Sequence, residues 1–143
     1  MSVPPRLSIV TLAVTDVARS TAFYEALGWV PAAASQESIT FFQLQGSALA
    51  LYERAALADD AGVSPDGSGF HGVTCALNCD SREEVDTVYG EWIAAGATPV
   101  TAPEAVFWGG YSSYVADPDG HLWEIAHNPY SPNGPDGRMR LDA

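Results

Sequence analysis

The stretch VTLAVTDV, from Val10 to Val17, recurs in similar form as VTCALNCD, from Val73 to Asp80. In both places, the residues that follow carry apolar side chains at helical spacing, and the pattern stops at a glycine, Gly28 or Gly96. Each copy therefore predicts a strand and then a helix. Internal repetition of this kind indicates two tandem units with the same fold.

Three more strand-like runs follow each predicted helix. The runs of the first half are WVPAA, SITFFQL and SALALYE, and those of the second half are ATPV, YSSYVAD and HLWEIAH. In both halves a short glycine-containing turn, at Gly46 or Gly120, joins the last two runs as a hairpin. The order β-α-β-β-β thus occurs twice, which predicts an α+β protein of two tandem βαβββ modules.

The composition of the connecting segments suggests where the modules begin and end. We expect a first module at residues 1–57 and a second at 70–128, joined by a polar linker rich in Gly and Asp at 58–69. Residues 129–143 contain several Pro and Gly and show no periodicity, so we expect an extended C-terminal arm, which is a candidate for packing on a partner subunit.

Charge and cysteine content restrict the partners and the compartment. Six Lys and Arg stand against 18 Asp and Glu, a formal net charge of -12, which repels phosphate backbones and anionic lipids. We therefore expect neither nucleic acid nor membrane as a partner, and a mild preference for neutral or cationic ligands. Cys75 and Cys79 lack a second cysteine pair or a histidine cluster, which predicts free thiols and a cytoplasmic protein.

Two segments carry a resemblance to a known family. TLAVTDVARSTAFYEALGW (Thr11 to Trp29) and DPDGHLWEI (Asp117 to Ile125) resemble the vicinal oxygen chelate superfamily, which includes glyoxalase I, bleomycin-resistance proteins and extradiol dioxygenases. The resemblance extends from Leu7 to Pro129. It implies mixed sheets that form an open cup for a ligand, often with a metal, and a homodimer. It leaves the activity open, because one fold serves many functions.

The metal ligands that the resemblance implies are mostly missing. The family takes one ligand from the first strand and one from the last strand of each module, and these positions are Ile9, Ala50, Gly72 and Glu124 here. Only the last can coordinate a metal through its side chain, whereas a catalytic divalent metal needs three or more protein ligands. His71 is one residue out of phase with Gly72. We therefore expect no metal and no other cofactor.

Alternation along the strands predicts which side chains face the cup. The bulky set that includes Leu12, Leu51 and Trp123 belongs under the helices, whereas the cup face is small and mixed, with Glu124 as its one acid. The loop FWGGY adds an aromatic rim at Phe107 to Tyr111. The predicted ligand-binding residues are Thr11, Phe42, Tyr52, Thr74, Trp108, Tyr111, Tyr114 and Glu124.

Whether the chain is an enzyme is left open by these patterns. One function that fits is metal-independent binding of a small apolar or aromatic molecule, similar to bleomycin-resistance and other sequestering members. Another is an isomerase, epimerase or lyase in which Glu124 is the catalytic residue, as a general base without metal. A third is a metal-dependent lyase or dioxygenase with an unusual ligand set. No Ser-His-Asp or Cys-His constellation is apparent.

Overall fold

The computed structural model describes residues 3–141, so residues 1–2 of the predicted first module and residues 142–143 of the predicted arm lie outside the described part. The predicted α+β class, with two open mixed sheets, is confirmed. The elements in chain order are β1 (Ile9–Val14), α1 (Val17–Ala26), β2 (Ile39–Gln43), β3 (Ala48–Glu53), α2 (Arg54–Ala61), β4 (Thr74–Asn78), α3 (Arg82–Ala94), β5 (Thr98–Ala105), β6 (Tyr111–Ala116) and β7 (Leu122–His127).

The two sheets repeat one arrangement, but the first has one strand fewer. The strand order is β1-β3-β2 in the first sheet and β4-β7-β6-β5 in the second. In each sheet the edge strand β1 or β4 runs parallel to its neighbour, and the other pairs are antiparallel. The strand predicted at WVPAA is reduced to an isolated bridge between Pro31 and Phe42. That prediction was wrong because a proline has no N–H to continue a ladder.

The helices begin and end where local chemistry dictates. Asp16 accepts a hydrogen bond from Arg19 N–H at the start of α1, and Ser81 does the same for Glu84 N–H at the start of α3. Helix α2 was not predicted, since it lies in and before a segment whose Asp, Gly and Pro content suggested a linker. Its alanine-rich sequence RAALADDA favours a helix. No helix among residues 3–141 is long and apolar enough to span a membrane.

One hydrophobic core is shared by both sheets. The ring of Tyr24, in α1, lies 6.0 Å from that of Phe42 in the first sheet and 6.2 Å from that of Trp123 in the second. Trp29 bridges the same two side chains, at 6.2 and 5.7 Å. One ring can contact both sheets only if their helix-covered faces point toward each other. The opposite faces, here called the outer faces, therefore lie on opposite sides of the core.

The register of β2 corrects one part of the predicted alternation. Phe42 is paired with Leu49 and Thr40 with Leu51, and residues directly opposite in an antiparallel pair share a face. Both therefore lie on the helix-covered face, where the Thr40 hydroxyl is 2.8 Å from that of Thr21 in α1. The expectation that Phe42 faces the cup was wrong, because alternation within one strand leaves its phase relative to its neighbour undetermined.

Candidate functional site

Glu124 lies in the middle of β7, on the outer face of the second sheet. Its neighbours in register are Ala76 on β4 and Tyr114 on β6. The buried Ser112 donates a hydrogen bond of 2.8 Å from its Oγ to Oε2 of Glu124. The carboxylate is thus half-buried beside a small residue and accepts from the Ser112 hydroxyl. A carboxylate has about four acceptor positions, so this one retains capacity for a further donor.

Tyr114 supplies a second polar group beside that carboxylate. Partial burial, and then the negative charge of Glu124, raise the pKa of the Tyr114 phenol. The phenol therefore keeps its proton at neutral pH. The pair brings a hydrogen-bond acceptor and a potential hydrogen-bond donor together on one open sheet face.

A groove of about 1300 Å³ opens along β4, the edge strand of the second sheet. Its wall includes Ala76, Glu124 and Ala126 from the outer face, and Trp108 from the loop between β5 and β6. This volume exceeds that of ordinary small-molecule pockets, about 300–1,000 Å³. The groove also reaches Trp29 and the β2–β3 turn of the first half. It is therefore an open cleft that a small ligand would fill only in part.

The structure brings some predicted ligand-binding residues together and separates others. Tyr114, Trp108 and Glu124 adjoin the outer face of the second sheet, and Thr74 is exposed on that face two residues before Ala76. Thr11 and Tyr52 lie on the outer face of the first sheet. They are thus on the far side of the shared core from Glu124 within one chain.

Two predicted ligand-binding residues are placed elsewhere. Phe42 is 1% exposed and belongs to the hydrophobic core. Tyr111 is paired with His127 and lies on the helix-covered face, where its hydroxyl donates to Asp86 of α3 at 2.8 Å. The Arg82 guanidinium lies 5.3 Å from the centre of the same ring. The predicted positions of Phe42 and Tyr111 at the cup were wrong, because pairing with the neighbouring strand decides which face of the sheet each side chain occupies.

The C-terminal arm adds groove residues that the sequence did not indicate. Arg138 and Met139 line the groove. The arm is attached to the end of β4, since Asn78 Nδ2 donates to Asn133 Oδ1 at 3.0 Å and Asn133 Nδ2 donates to the carbonyl of Asn78 at 2.8 Å. The arm segment has no periodicity that could have revealed this docking.

The residues present do not fit a divalent metal at the positions that the resemblance implies. In the first sheet Ile9 is paired with Ala48, and Ala50 with Thr11, and neither Ile9 nor Ala50 offers a donor. Gly72 has no side chain. Within residues 3–141, no group of three or more His, Cys, Asp and Glu side chains could hold a metal ion. The ring nitrogens of His121 and His127 instead lie 2.6 and 2.9 Å from backbone carbonyl oxygens.

Comparison with known proteins identifies the family. The model of the Glyoxalase/Bleomycin resistance protein/Dioxygenase superfamily matches residues 6–125. A glyoxalase-related enzyme from Fulvimarina pelagi is 36% identical, with a TM-score of 0.88 over 97% of this chain and 99% of that one. No curated protein sequence matches the chain.

More distant structures share the fold alone. A glyoxalase/bleomycin resistance protein/dioxygenase family enzyme from Burkholderia phytofirmans PsJN is 24% identical, with a TM-score of 0.75 over 85% of this chain and 98% of that one. Lactoylglutathione lyase from Agrobacterium tumefaciens is 23% identical, with a TM-score of 0.67 over 87% and 95%. On the family match and the 36% identical structure, the chain belongs to the glyoxalase/bleomycin resistance protein/dioxygenase superfamily.

Proposed function

We propose that the protein binds a small planar molecule, neutral or cationic, on the outer face of its second sheet without a metal. The observation that carries this proposal is Glu124, an acid on an open sheet face that accepts a hydrogen bond from Ser112 and lies beside the Tyr114 phenol. Partly burying a carboxylate costs free energy that these two neighbours offset incompletely. A ligand donor at the same carboxylate would offset the rest.

Aromatic and acidic groups along the groove support this ligand class. The indole of Trp108 is 38% exposed and lines the groove together with Glu124, which suits stacking of a flat ring next to a hydrogen bond. Asp80 and Glu84 line the same groove, and Arg138 is the one Lys or Arg among its lining residues within the described part. The excess of acids favours a cationic ligand over an anionic one.

Titration with dyes of opposite charge tests the proposal. We expect the planar cation proflavine to bind more tightly than the anionic dye anilinonaphthalene sulfonate. Glu124→Gln should weaken proflavine binding by about tenfold, as for a lost charge-assisted hydrogen bond. Glu91→Gln, which makes the same charge change at an exposed site in α3, is the matched control. Equal affinity of both variants for proflavine would contradict the role of Glu124.

A purely structural role for Glu124 is the main competing explanation, and stability measurements separate the two. In the double variant Glu124→Leu, Ser112→Ala, both partners of the Ser112–Glu124 hydrogen bond are removed, so neither is left unsatisfied. The Tyr114 phenol is half-buried and can donate to water instead. We expect its free energy of unfolding to stay within about 1 kcal/mol of the wild-type value, or to rise, while proflavine binding is lost. A strong loss of stability with binding retained would show that Glu124 is structural.

The open edges of the sheets lead us to propose a homodimer as the binding form. The edges at β2 and β5 are interrupted, β2 by the bridge to Pro31 and β5 by two prolines and two register shifts. Proteins protect exposed edges in these ways. The strands β1 and β4 have no proline or charged residue. Ile9, the first residue of β1, is 48% exposed, and Val73, just before β4, is 62% exposed.

A second copy fits these two edges. In a two-fold dimer, β1 would pair with β4 of the partner, and β4 would pair with β1 of the partner. These two pairings would cover both edges. It would also place the outer face that carries Thr11 and Tyr52 next to the face that carries Glu124 of the other copy. The expected cup would then form between two chains.

Light scattering after size exclusion tests this arrangement. We expect a dimer for the wild type and a monomer for Ile9→Lys, because a charge at the edge opposes pairing. Val63→Lys changes an exposed valine in the loop after α2 and should leave the dimer intact. A monomeric wild type, or a dimer that is insensitive to Ile9→Lys, would contradict this arrangement.

A metal-free isomerase, epimerase or lyase is the second candidate function, favoured by the adjacency of Glu124 and Tyr114. A carboxylate base next to a protonated phenol is suited to removing a proton from a carbon acid and stabilising the resulting enolate. Incubation with small neutral ketones and hydroxyketones in D₂O, followed by NMR, would detect such exchange. Exchange in the wild type that is lost in Glu124→Gln would support turnover, and its absence from all substrates would favour binding alone.

A further inference from the structure

The loop Val106–Gly110, which connects β5 and β6, holds two aromatic side chains in very different surroundings. Two backbone hydrogen bonds of 3.0 Å close the loop, from Val106 N–H to the Gly110 carbonyl and from Gly109 N–H to the Val106 carbonyl. Phe107 is fully exposed. Trp108 is folded back along the loop and lines the groove beside Glu124. The Trp108 ring is therefore held against the protein, whereas the Phe107 ring on the same loop stays in solvent.

Both glycines of the loop are covered by aromatic rings. The six-membered ring of Trp108 lies so close to Gly110 that a Cβ at this position would overlap it. Tyr130, the second residue of the arm, lies against Gly109, where a Cβ would be 2.8 Å from the Tyr130 hydroxyl oxygen. Gly109 also has φ +98°, a backbone conformation that residues other than glycine rarely adopt. The loop thus packs under two rings, one of its own and one from the arm.

Tyr130 is itself tied to the second sheet. Its N–H donates to Oδ1 of Asn128 at 2.9 Å, and the N–H of Asn128 donates to Oδ1 of Asn78 at 3.2 Å. Asn78 is the last residue of β4. A chain of hydrogen bonds therefore runs from the groove edge to Tyr130, whose ring rests on the loop that presents Trp108.

We propose that Tyr130 is a positioning residue for Trp108, so that the C-terminal arm fixes the surface on which a planar ligand stacks. The ligand part of this inference rests on the proposed function. Fixing the loop before binding removes part of the ordering entropy that the ligand would otherwise have to offset. Tyr130 does not line the groove within the described residues, so it acts through Trp108.

Acrylamide quenching of Trp108 fluorescence tests the positioning without any ligand. The Trp108 signal is obtained as the difference between each protein and the same protein with Trp108→Phe, because Trp29, Trp92 and Trp123 also emit. We expect Tyr130→Ala to increase the quenching of Trp108. We expect Tyr130→Phe to leave it unchanged, since the ring carbons Cε2 and Cζ lie against Gly109 as well as the hydroxyl. Phe107→Ala, on the same loop, should also leave it unchanged. Unaltered quenching in Tyr130→Ala would overturn the proposal.

Proflavine titration then separates this inference from the proposed function. We expect Tyr130→Ala to weaken proflavine binding about three- to tenfold, the range for one lost aromatic contact, with Tyr130→Phe close to wild type. Increased quenching in Tyr130→Ala, together with no proflavine binding by the wild type, would support the positioning role and reject the planar-ligand site. Increased quenching with unchanged affinity would show that Trp108 is positioned but is not the stacking surface, which overturns the second half of the proposal.

Discussion

The phenol of Tyr24 donates a hydrogen bond of 2.6 Å to Oδ2 of Asp117, and this bond joins helix α1 to the turn before β7. Both side chains are buried. The Tyr24 oxygen also accepts from Nε1 of Trp123 at 3.1 Å, and Oδ1 of Asp117 accepts from the N–H groups of Asp119 and His121, each at 2.9 Å. One buried polar network thus fixes the two halves of the chain to each other.

Removing the phenol oxygen should loosen this junction. Burial, and then the Asp117 carboxylate, raise the pKa of Tyr24 above its usual range, so the phenol stays protonated and donates at any ordinary pH. Tyr24→Phe should lower the free energy of unfolding by about 1–3 kcal/mol, because Asp117 and the indole N–H of Trp123 each lose a partner. Urea denaturation measures this. Tyr89→Phe, in a half-buried position of α3, is the matched control, and equal effects of the two changes would contradict the role of the network.

The Asp119 carboxylate should make stability depend on pH. It is partly buried, which opposes ionisation, but bonds from Thr15 N–H, from the hydroxyls of Ser20 and Thr15, and the charge of Arg19 hold the pKa of Asp119 below its usual range. A lowered folded-state pKa stabilises the protein above the unfolded value and loses that contribution as the pH falls through the folded value.

The corresponding variant is Asp119→Asn. We expect it to lower the free energy of unfolding by about 1–2 kcal/mol at pH 7, and the difference from wild type to shrink below about pH 4. Denaturation at a series of pH values measures the difference. Asp60→Asn, at an exposed position of α2, should show neither effect. A difference that persists unchanged down to about pH 2 would mean that the charge of Asp119 is not involved.

Phe42 provides a test of the strand register. Because Phe42 is a core residue, Phe42→Ala should lower the free energy of unfolding by about 3–5 kcal/mol, through lost burial and the cavity left behind. Phe107→Ala, at a fully exposed site, should change the free energy of unfolding by less than about 0.5 kcal/mol. Thermal or chemical denaturation compares them directly. A small effect of Phe42→Ala would contradict the register of β2 and indicate that Phe42 lies on the outer face.

Metal content is the simplest prediction to check. With Ile9, Ala50 and Gly72 where the family's metal ligands would stand, dialysed protein without a histidine tag should contain far less than one transition metal per chain. Elemental analysis by mass spectrometry measures this. A stoichiometric content of zinc, nickel or iron would show that Glu124 finds partners outside these positions.

The sequence by itself determined the family and most of the elements, but neither helix α2 nor the loss of the strand at WVPAA. Strand alternation and helical spacing are local properties of the backbone. The sequence therefore predicted the repeated βα pattern, and it predicted that Glu124 and Trp123 lie on opposite faces of β7. The DPDGHLWEI segment carried the family resemblance for the same reason, because its turn and strand are local.

Only the tertiary structure decided how these elements meet. The faces of Phe42 and Tyr111 depend on pairing with a neighbouring strand, and a shift of one residue would reverse both. The junction of the two halves depends on residues far apart in the chain, as in the hydrogen bonds of Thr15 to Asp119, 104 positions later. Such contacts form only when one particular packing of the core brings the two segments together, and no local pattern encodes that packing.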